Sequence, residues 1–126
     1  MKLLDIIFPK KCIYCGKQEE YICSSCLHFF KKEIKIIKCT KKYYDYLVYY
    51  AQYKGDFRKK LLKFNFNNNA YLAEFFIKLI LENQKICKFL KNFDYIVPVP
   101  MTNLAKSKRG YNQTQLLAKH LSYELG

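Results

Sequence analysis

The stretch that decides the N-terminal fold is residues 12–26, which read CIYCGKQEEYICSSC. It holds two Cys-x-x-Cys pairs, Cys12 with Cys15 and Cys23 with Cys26, separated by seven residues. Each pair predicts a tight turn that aims two sulfur atoms at one point, and two such turns provide the four-thiolate set of closed structural zinc sites. We therefore predict one structural zinc ion bound by these four cysteines.

Other interpretations of the cysteines remain open, namely reduced surface thiols or a disulfide framework. The opening MKLLDIIFPKKC has Asp5 and Pro9 where a signal peptide would have its apolar core, so we expect a cytoplasmic protein. Thiols in the cytosol stay reduced, which favours metal ligation over disulfides. Four thiolates leave no open coordination position, which argues against a catalytic zinc. Cys39 and Cys87 stand alone among apolar residues and are interpreted as small buried fillers.

The charge of the chain is strongly positive, at +13, and comes from 21 lysines and two arginines against ten acidic residues. One interpretation is attraction to phosphate-bearing partners such as nucleic acid or nucleotides. The alternative is genome composition, because the chain is rich in Lys, Asn, Ile, Tyr and Phe and has no Trp. No apolar run reaches the roughly 18 residues needed to span a bilayer, so no membrane span is expected.

The second part of the chain predicts alternating strands and helices after a basic connector at residues 31–42. The predicted elements are a strand at 46–53, helices at 57–64 and 71–83, a buried parallel strand at 94–99, and a closing helix with Asn112 as its N-cap. This order predicts an α/β fold, and two strands are fewer than the five or six of a doubly wound sheet, so we expect an incomplete sheet.

We divide the chain into a zinc ribbon with its basic connector, residues 1–40, and the N-terminal portion of an α/β domain, residues 41–126. Because small zinc modules fold only with their metal, Cys12→Ser should unfold the ribbon with limited effect beyond about residue 40.

A second site is predicted in residues 94–115, DYIVPVPMTNLAKSKRGYNQTQ, where the predicted strand is followed by a basic loop and a helix start. Ligands of open α/β sheets bind at the carboxyl ends of strands, and free amides at helix N-termini bind phosphate. Lys106, Lys108 and Arg109 would add positive charge, and Gly110 would let the backbone approach. The loop is therefore a candidate anion site, and a solvated basic loop is the alternative.

Together these residues resemble the ComF family of phosphoribosyltransferase-like competence proteins. The resemblance covers nearly the whole chain and rests on LLDIIFPKKCIYCG, ICSSC, YYAQYKGDFRKKLLKF, IVPVP and KRGYNQTQLLA. It implies a zinc ribbon joined to a type I phosphoribosyltransferase fold with a parallel sheet. It also implies a role in natural DNA uptake or in the use of incoming DNA.

The resemblance also implies that a loop contacts pyrophosphate, formed by Lys108, Arg109, Gly110, Tyr111 and Asn112. The family's later half carries two adjacent acids followed by Thr-Thr-Gly, which bind phosphoribosyl pyrophosphate with magnesium. No such motif occurs here. The adjacent acids Glu19 and Glu20 lie in the cysteine segment, by which we mean residues 9–29.

We therefore expect phosphoribosyl pyrophosphate and magnesium to act only in a full-length form, and this chain alone to be inactive. The alternative function is a non-catalytic adaptor of the competence machinery that binds single-stranded DNA. Its partners would be single-stranded DNA and the proteins of that machinery.

Overall fold

The computed structural model describes residues 6–7, 9–18, 20–29, 35–41, 43–66 and 69–126. Predictions that concern residues 3–5, Phe8, Glu19 and connector residues 31–34 and 42 lie outside the described residues. The helices are α1 Ser24–Phe29, α2 Gly55–Phe66, α3 Leu72–Leu81, α4 Gln84–Leu90, α5 Asn103–Arg109 and α6 Gln113–Leu125. The strands are β1 Lys35–Lys38 and β2 Tyr46–Tyr49. The chain is thus a mixed helix and strand protein.

The sheet in the described part of the chain has two antiparallel strands, with Lys35 opposite Tyr49 and Lys38 opposite Tyr46. The predicted strand at 46–53 is therefore confirmed only over its first half. The backbone amide of Cys39 donates to the carbonyl of Asp45 at 2.7 Å. Because this bond lies just beyond the paired ends of β1 and β2, the connection between the two strands is short. A connection this short can join antiparallel strands but not parallel ones, so this sheet is not the parallel sheet that the sequence predicts.

The prediction of a buried parallel strand at residues 94–99 is wrong for this structure. The segment forms no helix or strand and pairs with no described strand, and Tyr95 and Val97 are 87% and 85% exposed. Pro98 and Pro100 have no backbone N–H, and because they occupy alternate positions they remove donors from the same edge of the segment. The apolar run therefore lies on the surface.

Both predicted helices of the middle region are confirmed, and α2 is longer than predicted because it begins at Gly55, whose φ is 56°. The short helix α4 was not predicted, and the Asn83 side chain caps it by accepting from the amide of Ile86 at 3.1 Å. Among the described helices, none combines the length and the apolar character that a bilayer crossing requires.

Residues 103–109, predicted as a basic loop, form helix α5 instead. The Thr102 hydroxyl caps the helix by accepting from the amide of Ala105 at 3.2 Å. Gly110 ends it in the left-handed conformation, with a φ of 80°. A threonine cap and a terminal glycine are ordinary helix boundaries. The residues between them therefore form a helix although their amphipathic pattern is weak.

The core joins the cysteine segment to the helices. Ile22 and Leu27 of the cysteine segment are buried in one cluster with Phe64 of α2 and with the buried face of α3, which includes Leu72, Ala73, Phe75, Phe76 and Leu79. The division of the chain at residue 40 stays a prediction. The shared core nevertheless changes the expectation that Cys12→Ser has a limited effect beyond residue 40. Unfolding of the cysteine segment should now also weaken α2 and α3.

Candidate metal centre and anion loop

The first Cys-x-x-Cys pair lies in a turn closed by backbone hydrogen bonds. Lys11 and Gln18 form an antiparallel bridge at its base. The amide of Cys12 donates to the carbonyl of Lys17 at 2.7 Å, and the amide of Gly16 donates to the carbonyl of Cys12 at 2.9 Å. Gly16 has a φ of 75°, a conformation that favours glycine, so the residue directly after the pair is required by the turn.

The second pair lies at the start of helix α1. Cys23 directly precedes the helix, and its carbonyl accepts from the amide of Leu27 at 2.9 Å. The two turns are joined by the amide of Ile13, which donates to the carbonyl of Tyr21 at 3.0 Å. The first turn of α1 therefore presents Cys26 towards the same point as the first pair.

The four cysteines form one cluster, as the sequence predicts. All four Sγ atoms lie within 4.8 Å of one another, and Cys15 Sγ is 3.6 Å from Cys23 Sγ. A tetrahedral zinc with Zn–S bonds of about 2.3 Å requires sulfur atoms about 3.8 Å apart, so this donor set fits the ion. Cys12 and Cys23 are buried, Cys26 is half-buried and Cys15 is exposed.

The electrostatics of the cluster favour a thiolate in each turn. Burial acts to raise the pKa of Cys12, but hydrogen bonds from three backbone amides of the two turns outweigh it and lower the pKa to about 6. A hydrogen bond from the Cys26 amide lowers the pKa of Cys23. Burial and hydrogen bonds with the other three thiols raise the pKa of Cys26 to about 12. Thiolates are the metal-binding form of cysteine. By lowering the pKa of Cys12 and of Cys23, the backbone of the two turns favours metal binding by one cysteine of each pair.

Ion pairs connect the cysteine segment to helix α3. Lys10 Nζ lies 2.9 Å from a carboxylate oxygen of Glu74, and Lys78 Nζ lies 3.0 Å from one of Glu20. Lys78 also donates to the carbonyl of Ile22 at 3.0 Å. These partners are far apart in sequence, and sequence reasoning identified none of them. The cysteine cluster is therefore held against α3 by ion pairs as well as by the shared core.

The basic end of the predicted anion loop lies at the last turn of α5. Lys108 is exposed and Arg109 is half-buried. Gly110 donates its amide to the carbonyl of Lys106 at 2.8 Å and closes the helix. Lys108 and Arg109 thus belong to the last turn of α5 and directly precede the glycine that leads towards α6.

The rest of the predicted loop has local structural roles. The Tyr111 hydroxyl donates to the carbonyl of Phe64, and the two rings lie 5.6 Å apart. Asn112 caps α6, as predicted, by accepting from the amides of Thr114 and Gln115 at 3.1 and 3.2 Å. Those two amides are thus already hydrogen-bonded within the chain. A pyrophosphate role for this loop stays a prediction.

A cavity of about 820 Å³ lies between α1, α3 and α6. Its walls include Leu27, Ile77, Leu116 and His120. The volume falls in the range of small-molecule sites. None of the five predicted pyrophosphate residues lines it, so this cavity and the anion loop are separate places.

Comparison with known proteins gives one curated relative. Competence protein F of Haemophilus influenzae is 26% identical to this chain over 114 residues, which cover 88% of the chain and 46% of the relative. The match supports the ComF family. The chain spans less than half the length of this ComF relative. No protein-family model matches the chain, and no solved structure matches it.

Proposed function

We propose that this chain is part of a ComF-type, phosphoribosyltransferase-like protein that acts in natural competence, in DNA uptake or in the use of incoming DNA. Its cysteine segment is a zinc ribbon with one structural zinc ion. The observation that carries the zinc assignment is the cluster of four Sγ atoms within 4.8 Å of one another. The similarity to competence protein F supports the family-level role.

Elemental analysis of the purified protein tests the zinc ribbon. We expect about one zinc per chain, because four thiolates complete a structural site. Cys12→Ser should lose the metal, whereas Cys39→Ser should keep it, since Cys39 lies outside the cluster. A metal-free protein that keeps the same fold in the presence of a chelator would exclude the ribbon.

Genetic disruption tests the role in competence. We expect cells without this gene to lose transformation with linear DNA, and the intact gene to restore it. Separate measurement of DNA entry and of chromosomal integration would distinguish uptake from use of incoming DNA. Unchanged transformation in the disrupted strain would contradict the competence assignment.

We place the pyrophosphate group of phosphoribosyl pyrophosphate at Lys108 and Arg109. Their cationic side chains beside the start of α6 would stabilise the negative charge of that group. Arg109→Ala should weaken binding of pyrophosphate by about tenfold, because a hydrogen bond to a charged group is lost. Arg58→Ala is the matched control. Arg58 belongs to α2, not to α5, and its guanidinium lies over the ring of Tyr53. Equal affinities of the two variants would contradict the placement.

Catalysis requires groups that this sequence does not contain. The ribose hydroxyls and magnesium need carboxylates, and near the loop the sequence offers Asp94 and Glu124 but no adjacent acids. We therefore expect no release of pyrophosphate by this chain alone, and release by a version extended through the family's later half. Robust magnesium-dependent release by the short chain would contradict this expectation.

A DNA-binding adaptor is the second candidate, and the surface of the chain favours it. The net charge is +13, and Tyr43, Tyr95 and Tyr123 expose their rings, which could stack on bases. Binding of a single-stranded oligonucleotide should weaken steeply as salt rises, because phosphate contacts release counterions. Affinity that does not change with salt would indicate that the lysines only reflect genome composition.

A further inference from the structure

Lys60 of helix α2 reaches the turn between the first two cysteines. Its Nζ donates to the carbonyl of Ile13 at 3.2 Å, and it lies 4.9 Å from the centroid of the Tyr14 ring. Ile13 and Tyr14 are the two residues between Cys12 and Cys15. The contact is long-range in sequence, so no motif in the cysteine segment could indicate it.

The Tyr14 ring also contacts the core of the protein. It contacts both the ammonium group of Lys60 and Phe75 of α3, whose ring centroid is 6.1 Å away. Phe75 is fully buried. The first Cys-x-x-Cys turn therefore contacts a charged group and also an aromatic residue of the core.

Lys60 differs from its neighbours on the same helix. Lys59 is exposed, and its ammonium group lies 3.9 Å from the carboxylate of Asp56 one turn away. Lys60 is half-buried, and burial, followed by the charge of Lys63, lowers its pKa. Burying an ammonium group costs free energy unless polar partners compensate it. The carbonyl of Ile13 and the face of the Tyr14 ring are such partners.

The charge of the cysteine cluster gives Lys60 a further role. Four thiolates around a divalent zinc ion carry a net charge of −2, and a nearby ammonium group offsets part of it. Groups beyond the ligands that orient or neutralise them commonly change metal affinity.

We propose that Lys60 is a positioning residue of the metal centre, which fixes the Ile13–Tyr14 turn and offsets the charge of the metal-bound thiolates. This proposal rests on the proposed zinc site. It couples metal retention to helix α2, which belongs to the part of the chain beyond the cysteine segment.

The test is the rate at which zinc passes from the protein to excess chromophoric chelator. Lys60→Gln should release zinc about tenfold faster than the unsubstituted protein. Lys60→Arg should stay close to the unsubstituted rate, since arginine keeps the charge and can donate to the carbonyl. The matched control is Lys59→Gln, which removes the same charge from the adjacent, exposed position and should leave the rate unchanged.

Thermal unfolding with and without zinc separates this role from simple packing. Lys60→Gln should reduce the rise in Tm that zinc produces, whereas Lys59→Gln should not. An equal loss of Tm in the zinc-bound and metal-free forms, or equal release rates for Lys60→Gln and Lys59→Gln, would overturn the proposal. A protein that binds no zinc before any substitution would instead refute the zinc site itself.

Discussion

Residues 12–26 form hydrogen bonds within and between two adjacent turns, whereas residues 94–100 form no helix or strand and expose most of their side chains. In the first region the partners are close in sequence, as in the bond from the Cys12 amide to the Lys17 carbonyl. In the second region the carbonyl of Val99 accepts from the Thr114 hydroxyl of α6, fifteen residues away, at 2.7 Å. A turn thus finds its hydrogen-bond partners among neighbouring residues, whereas a strand depends on a second strand from elsewhere in the chain.

The largest expected effect comes from breaking the cysteine cluster of the first region, which we propose binds zinc. Cys12→Ser in the zinc-bound protein should lower the free energy of unfolding by about 3 kcal/mol or more, since loss of a structural metal is among the most destabilising changes. Because Ile22 and Leu27 share a core with α3, hydrogen exchange should also accelerate in α3. Denaturant titration and amide exchange measure the two effects.

Cys39→Ser is the control for that experiment, since Cys39 is half-buried and outside the cluster. It should change stability by about 1 kcal/mol or less. If Cys12→Ser left the protection of α3 unchanged, residues 1–40 would behave as an independent unit, as the sequence predicts.

A smaller effect is expected at the start of α6, whose Thr114 hydroxyl donates to the carbonyl of Val99 in the second region. Asn112→Ala should destabilise the protein by about 1 kcal/mol, because two amides of the helix lose their acceptor. Asn103→Ala is the control, since Asn103 is exposed and Thr102 caps its helix. Equal stability of the two variants, measured by denaturant titration, would show that the cap contributes nothing.

A similar or slightly smaller effect is expected at Tyr111. Tyr111→Phe should cost about 1 kcal/mol, because the hydroxyl donates to the carbonyl of Phe64. The exposed Tyr123 provides the control substitution, Tyr123→Phe. Pyrophosphate affinity should not change in either variant. A loss of affinity without a loss of stability would instead place the Tyr111 hydroxyl at the anion.

The smallest effect is expected in residues 94–99 themselves. Val97→Lys should change the free energy of unfolding by no more than about 0.5 kcal/mol, because the side chain is exposed. Leu79→Ala, at a fully buried position of α3, should cost about 3 kcal/mol in the same denaturant titration. If Val97→Lys were as damaging as Leu79→Ala, residues 94–99 would be buried as the sequence predicts.

Several features could be predicted because they depend on residues within a few positions of one another. The two Cys-x-x-Cys turns, the cap at Asn112 and the apolar stripe of α3 are of this kind. The α5 helix also carries local signals, Thr102 and Gly110, but its basic residues were interpreted as a loop. Local hydrogen bonds and helical periodicity depend only on which residues lie a few positions apart, so they can be predicted from the sequence.

Other features arise from contacts between distant residues, and no local pattern specifies them. Ile22 and Leu27 join the core of α2 and α3, Lys60 reaches the first cysteine turn, and the apolar run at 94–99 stays on the surface. An apolar run is compatible with a buried strand or with an exposed one, and the neighbours that choose between them come from elsewhere in the chain. Residue order thus sufficed to predict the cluster of four cysteines, whereas packing determined what surrounds and supports it.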